Sequence, residues 1–348
     1  MFGDQSDMVQ WLERLDPEAL NFVRACSTCR HYDSCSRKER FGRESIAGAA
    51  TIGSTPRPEH PGNPATAETT SVGCGGVSMI GAIIGDIVGS RFEWDNCKKK
   101  DFAFLTEECR FTDDTLMSVA IAKAILESDA GHRDLSARAI EAMREFGRAY
   151  PTRGYGGQFR KWLESDDPQP YNSYGNGAAM RVSACGFAAE TLEEARALSR
   201  AVTAVTHNHP EGIKGAEATA AAIFLARDGR SKSQIRDYIH QNYYPMDFTL
   251  DGIRDTYTFD VSCQGSVPEA LMAFFESSGF EDAIRNAVSI GGDSDTIAAI
   301  TGGVAEAFYG VEAELLEQAL PYLDEPLLRV LVAFENRYGS GKNLRETV

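Results

Sequence analysis

Basic residues are scarce in this chain. Against 51 Asp and Glu there are 35 Lys and Arg in 348 residues, a formal charge of −16. Phosphate backbones and anionic lipid surfaces are bound by clustered cations, so the balance argues against general nucleic-acid backbone binding and against a membrane-surface protein. Long apolar runs are missing as well. The best stretch, 79–88, is short and interrupted by Asp86, far from the roughly 18 or more apolar residues of a membrane span. The opening residues Met1-Phe2-Gly3-Asp4-Gln5-Ser6-Asp7 hold neither a basic leader nor an apolar segment, which predicts a cytoplasmic protein. Cysteine is thin: 8 residues scattered over the chain do not make the dense disulfide framework of a small secreted domain. Cys26, Cys29 and Cys35 gather around His31, but no second C-x-x-C or H-x-x-x-H pair follows. Free thiols at a helix end and a small metal or redox site both fit that cluster.

Convincing period-two alternation, the mark of half-buried strands, is absent too. Helical spacing of apolar residues takes its place, over 116–126, 135–150, 192–205, 215–227, 232–242, 268–277, 295–309 and 326–338. Small residues such as Ala218-Thr219-Ala220-Ala221-Ala222 allow close helix packing. The expected fold is all-α: a compact, orthogonal multi-helix globule carrying long functional loops. An amphipathic helical pattern also covers 6–24, and 47–78 is rich in Gly, Pro, Thr, Ser and Ala with almost no large apolar residues. The partition this predicts is a helical, cysteine-containing extension over 1–46, a flexible linker over 47–78 and a catalytic domain over 79–348.

Two acidic phrases, Thr112-Asp113-Asp114-Thr115 and Gly291-Gly292-Asp293-Ser294-Asp295-Thr296, each stand just before a helical run. One carboxylate or hydroxyl at a helix start is an ordinary cap. Two carboxylates plus threonine oxygens at both starts exceed what capping needs. The set offers only hard oxygen donors, which selects Mg²⁺, Mn²⁺ or Ca²⁺ over Zn²⁺.

Further phrases accompany them in order: Gly85-Asp86 to Glu93, Gly154-Tyr155-Gly156, Ser173-Tyr174-Gly175-Asn176-Gly177 and Thr206-His207. Taken together, the chain from about residue 79 to 310 resembles the ADP-ribosylglycohydrolases, the family that includes the dinitrogenase reductase-activating glycohydrolase. The resemblance implies an all-α fold, a binuclear Mg²⁺ or Mn²⁺ centre, and cleavage of the glycosidic bond between ADP-ribose and an acceptor. By motif the metal ligands are Thr112, Asp113, Asp114, Asp293, Asp295 and Thr296. Asp113 and Asp295 are also assigned to catalysis. Glu93 matches the family's mobile acid beside the metals, suited to orienting water and shuttling a proton as an oxocarbenium-like centre forms. Gly154, Tyr155 and Gly156 form a loop whose N–H groups suit a diphosphate. Ser173, Tyr174, Gly175 and Asn176 suit ribose and phosphate oxygens, with Tyr174 able to stack on a base, and His207 is implied to contact the distal ribose or its phosphate. Arg181 either pairs with a metal-site carboxylate or anchors the fold; His209 is as readily structural, and Cys263 has no evident base to make it a nucleophile.

The implied partner is an ADP-ribosylated protein, with arginine one possible acceptor, or an ADP-ribosylated small molecule. An alternative adds an immunity role, in which the N-terminal extension binds an ADP-ribosyltransferase while the core reverses its modification.

Overall fold

The computed structural model describes residues 79–339. The expected helix over 6–24, the cysteine cluster at Cys26, Cys29 and Cys35, and the linker over 47–78 lie outside the described residues. Within them, 14 α-helices follow one another: α1 (Ile80–Gly89), α2 (Asp113–Glu127), α3 (Leu135–Ala149), α4 (Gly157–Glu164), α5 (Ser183–Ala188), α6 (Leu192–Thr203), α7 (Pro210–Arg227), α8 (Lys232–Asn242), α9 (Leu250–Ile253), α10 (Val267–Phe275), α11 (Phe280–Ser289), α12 (Ser294–Tyr309), α13 (Ala313–Ala319) and α14 (Glu325–Tyr338). No strand occurs among the described residues, only an isolated antiparallel bridge between Gly175 and Ser262. No helix among them is long and apolar enough to cross a membrane. Over the described residues the all-α expectation is met.

Most expected helices are present with shifted ends. Helix α8 matches 232–242, whereas α2 starts at Asp113 rather than 116 and α7 at Pro210 rather than 215. Both earlier starts have a capping cause. Thr112 Oγ1 accepts from Asp114 N at 3.3 Å, and His209 Nδ1 accepts from Glu211 N at 3.1 Å, so polar residues outside the apolar period satisfy first-turn N–H groups. Helices α1, α4, α5, α9, α11 and α13 were not among the expected ones.

The missed α1 lies at the centre. Every residue of Ile80–Gly89 is buried, so the helix has no polar face and no amphipathic period to read. Its most extensive partner is α12, which also touches α7, α10 and α11. Three glycines one turn apart on α1 set how close the two axes come. A Cβ on Gly81 would stand 2.5 Å from Gly302 O, on Gly85 2.0 Å from Ala298 O, and on Gly89 2.5 Å from Asp295 Cα. The glycine stripe therefore brings the N-terminus of α12, with Asp295, down onto the helix that carries Asp86.

Candidate metal centre

Helices α2 and α12 point their N-termini at one place, where their partly positive ends favour carboxylates. Asp86, buried in the middle of α1, fixes α2 there. Its Oδ1 accepts from Thr112 Oγ1 at 2.6 Å, and its Oδ2 accepts from Thr112 N at 2.8 Å, from Thr115 N at 3.1 Å and from the Thr115 hydroxyl. Sequence reasoning did not include Asp86 among the site residues. Its signal was the lone carboxylate inside the apolar run 79–88.

The carboxylates meet in two overlapping groups. One oxygen each from Asp86, Asp114 and Asp295 lie within 4.8 Å of one another, and so do one each from Glu93, Asp293 and Asp295. Thr296 N donates to Asp295 Oδ1 at 3.0 Å, and Thr112 Oγ1 lies 3.4 Å from Asp114 Oδ2. Asp113 stands outside both groups but feels the charges of Asp86, Asp293 and Glu93. Five of the six residues expected as metal ligands are buried, and the sixth, Asp113, is half-buried.

Such a cluster is costly when charged. Burial, then Asp86, pushes Asp114 well above the ordinary carboxylate range; burial, then Asp114 and Asp293, does the same to Asp295. Burial and Asp86 push Asp113 up to about 8. Asp114 Oδ1 is buried with no hydrogen-bond partner. A buried carboxylate oxygen without a donor, surrounded by further carboxylates, is the arrangement a cation would resolve. The donors are carboxylate and hydroxyl oxygens, so they fit a hard divalent ion.

A pH effect on the metal-free protein follows. Unfolded aspartates titrate near pH 4, while burial and mutual repulsion raise these in the folded state, so folding takes up protons. Stability is then present at acid pH and lost as pH rises from about 4 toward 8. The chelator-treated protein should melt at a lower temperature at pH 8 than at pH 5.5, with Mg²⁺ or Mn²⁺ restoring it at pH 8. A melting temperature that is flat or rising over that interval without metal would contradict this account.

The Gly291-Gly292 turn aims Asp293. Both glycines have positive φ, +70° and +78°, and a Cβ on Gly292 would lie 2.4 Å from Tyr257 Cε1. Asn96 joins this turn to the Glu93 loop: its Oδ1 accepts from Gly292 N at 2.8 Å, and its Nδ2 donates to Gly292 O at 3.0 Å and to Phe92 O at 2.7 Å. Lys98 adds a tie, donating to Tyr257 O at 2.7 Å and Ile290 O at 2.5 Å. Glu93 is half-buried, and burial followed by Asp293 raises its carboxyl above the ordinary range, against the opposing charge of Arg110.

The expected substrate residues lie on two walls. Gly154, at φ +104°, leaves room where a Cβ would come 2.7 Å from Asp113 Oδ1, and Gly156 faces open space. Tyr155 is 5% exposed and packs on Phe159 with ring centroids 5.8 Å apart, so its ring belongs to the core. On the other wall, Ser173 Oγ accepts from Gly175 N at 3.1 Å, Asn176 N donates to Val261 O at 2.7 Å, and Cys263 N donates to Tyr174 O at 2.9 Å. The Asn176 amide points inward, donating to Asp293 Oδ2 at 2.7 Å and Ser266 Oγ at 3.1 Å, and so steadies a cluster carboxylate. His207 is buried with its Nε2 edge toward Gly175 and Gly177. Tyr174 is exposed and meets His209 edge-on at 5.3 Å. Trp94, next to Glu93, is 78% exposed and stacks on Phe259 at 5.2 Å. Cys263 is buried, its thiol pushed up to about 12 by burial, which suits packing rather than nucleophilic attack.

Over the described residues, fold and site together define an all-helical body whose carboxylates collect at two helix N-termini, beside a loop acid and glycine-lined walls. The chain belongs to the ADP-ribosylglycohydrolase family of hydrolases, whose model matches residues 77–338. It is 26% identical to the ADP-ribosylhydrolase ARH3 of Bos taurus over 343 residues, covering 71% of this chain and 91% of that protein. It is also 26% identical to the ADP-ribosylarginine hydrolase Tri1 of Pseudomonas putida (strain GB-1), covering 67% of this chain and 70% of that one. A solved structure described as an ADP-ribosylglycohydrolase-related protein complex shares the fold, with TM-score 0.55 and 23% identity over 75% of this chain and 96% of that one.

Proposed function

We propose that the chain is a metal-dependent hydrolase that releases ADP-ribose from a modified acceptor, an arginine or other side chain of a protein or an ADP-ribosylated small molecule. The observation that carries this reading is the buried, unpartnered Asp114 oxygen within the carboxylate cluster, beside a half-buried Glu93. The relatives named for ADP-ribosyl hydrolysis support the substrate class. Two divalent ions, Mg²⁺ or Mn²⁺, would be held by Thr112, Asp113, Asp114, Asp293, Asp295 and Thr296. When bound, such ions supply a grip on sugar hydroxyl oxygens and offset the carboxylate charge.

The chain's own groups do the rest in this reading. Glu93 aligns a water on the ribose carbon and moves a proton as the bond to the acceptor breaks. Burial, then the charge of Asp293, raises its proton affinity above that of an ordinary glutamate, the direction that favours holding a proton for that exchange. The Gly154–Gly156 backbone and the Ser173–Asn176 wall take the diphosphate and ribose, Tyr174 offers an exposed ring face for a base, and Asn176 holds Asp293 in register. The unit that does this is 79–348, with 1–46 and 47–78 as extension and linker.

The test is incubation with Mg²⁺ or Mn²⁺ and a panel of ADP-ribosylated acceptors, with Asp113→Asn as control. Release of ADP-ribose from at least one acceptor, stopped by chelation and by the substitution, is expected. Release from none of them, or release indifferent to chelation, would overturn the reading.

A further inference from the structure

Arg181 lies just after the Asn176–Ala178 turn and is 1% exposed. A guanidinium that deep normally faces a carboxylate, because an uncompensated buried charge is costly. Its hydrogen-bond partners among the described residues are otherwise: Met143 Sδ, the Thr206 hydroxyl and His207 Nδ1, the last at 2.9 Å from Nη2. Its Nε is buried without a partner. The sequence left open a bond from Arg181 to a metal-site carboxylate, and the structure gives it a histidine instead.

That contact settles the state of the ring. Arginine only donates, so Nδ1 of His207 must accept, and the ring proton sits on Nε2. A proton on Nδ1 would set N–H against N–H at 2.9 Å. The Thr206 hydroxyl, 2.7 Å from the same Nδ1, accepts from Arg181 Nη2 and is free to turn its own proton to that nitrogen. Burial and the Arg181 charge hold the ring far below the usual histidine range, so it stays neutral. Among the described residues the ring's hydrogen bonds all use Nδ1. Nε2 faces the turn where side chains are missing: a Cβ on Gly175 would lie 3.6 Å from it and one on Gly177 3.4 Å. An N–H donor is thus presented at the wall of the proposed pocket with nothing in the fold to receive it.

We propose that Arg181 is a positioning residue, which fixes His207 as a neutral Nε2–H donor for an oxygen of ADP-ribose. The inference rests on the proposed function for its ligand and on geometry alone for its tautomer. Binding through one neutral hydrogen bond, equal in ground and transition states, acts on KM and leaves kcat alone.

The experiment uses the full chain labelled with ¹⁵N-histidine, the His207 signals being identified by their loss in His207→Gln. Long-range ¹H–¹⁵N correlations at pH 7 should show the Nε2–H tautomer, and ADP-ribose with Mg²⁺ should shift the Nε2 resonance. In Arg181→Met the tautomers should mix and KM rise about fivefold to tenfold with kcat nearly unchanged, and Arg181→Lys should recover part of the loss. A wild-type ring protonated on Nδ1, or on both nitrogens, overturns the proposal even if no Arg181 variant folds. ADP-ribose that binds by calorimetry without moving Nε2 overturns it while leaving the hydrolase reading intact. If calorimetry shows no ADP-ribose binding in the presence of metal, both fall.

Discussion

Replacing Asp293 and Asp295 together by Asn should strip the protein of its divalent ions and drop turnover by about a thousandfold or more, the scale on which losing a preorganised electrostatic centre acts. Asp295 belongs to both carboxylate groups, and Asp293 sits at the end of a turn whose two glycines and Asn96 contacts serve to aim it. The neutral amides keep the size of the side chains and remove the charge. Metal content by mass spectrometry is therefore the first readout, with activity second. A third readout separates loss of metal from loss of fold. Without metal the wild-type cluster repels itself, so the double variant should melt higher than metal-free wild type at pH 8, and its melting temperature should depend less on pH. Unchanged metal content in a folded double variant would remove both residues from the ligand set.

Much of the candidate site was legible in the chain because its pieces are local. A Thr-Asp-Asp phrase and a Gly-Gly-Asp-Ser-Asp-Thr phrase at helix starts betray themselves by excess: capping needs one oxygen, and each phrase brings several. What could not be read was the part that depends on packing. Asp86 looked like an interruption in an apolar run, and only the Gly81, Gly85 and Gly89 contacts with α12 show why a fully buried helix carries a carboxylate there. Asn176 shows the same limit: its amide suits a sugar hydroxyl on paper, whereas in the fold it reaches Asp293.

The helices missed divide by cause. Helix α1 had no period because it has no exposed face, and α5 and α9 are too short to show one. Helix α11 did carry the signal, since Phe280, Ala283, Ile284, Ala287 and Val288 are all buried at helical spacing. The extent of the earlier starts at α2 and α7 was hidden for a different reason. Polar first turns obey capping rules rather than the apolar period, and in α2 and α12 the first turn is also where the candidate chemistry resides.

Glu93→Gln should separate chemistry from binding. The glutamine keeps the side chain's length, so the Asn96 bonds to Phe92 O and Gly292, which belong to backbone groups, remain and the loop stays in place. Metal content and ADP-ribose affinity should match the wild type within a few fold, while turnover falls by roughly a hundredfold to ten-thousandfold, the usual contribution of a positioned acid or base. The wild-type rate should carry a pH limb from the Glu93 carboxyl, which burial holds above its ordinary range, and the variant should lack that limb. The direction of the wild-type limb assigns the role. A rate that rises with pH through it means Glu93 works as the base that receives a proton from water, and a rate that falls means it gives its proton to the departing acceptor. Wild-type turnover in Glu93→Gln would take Glu93 out of the mechanism. A fall accompanied by loss of metal would instead make Glu93 part of the ion-binding set, as its nearness to Asp293 and Asp295 permits.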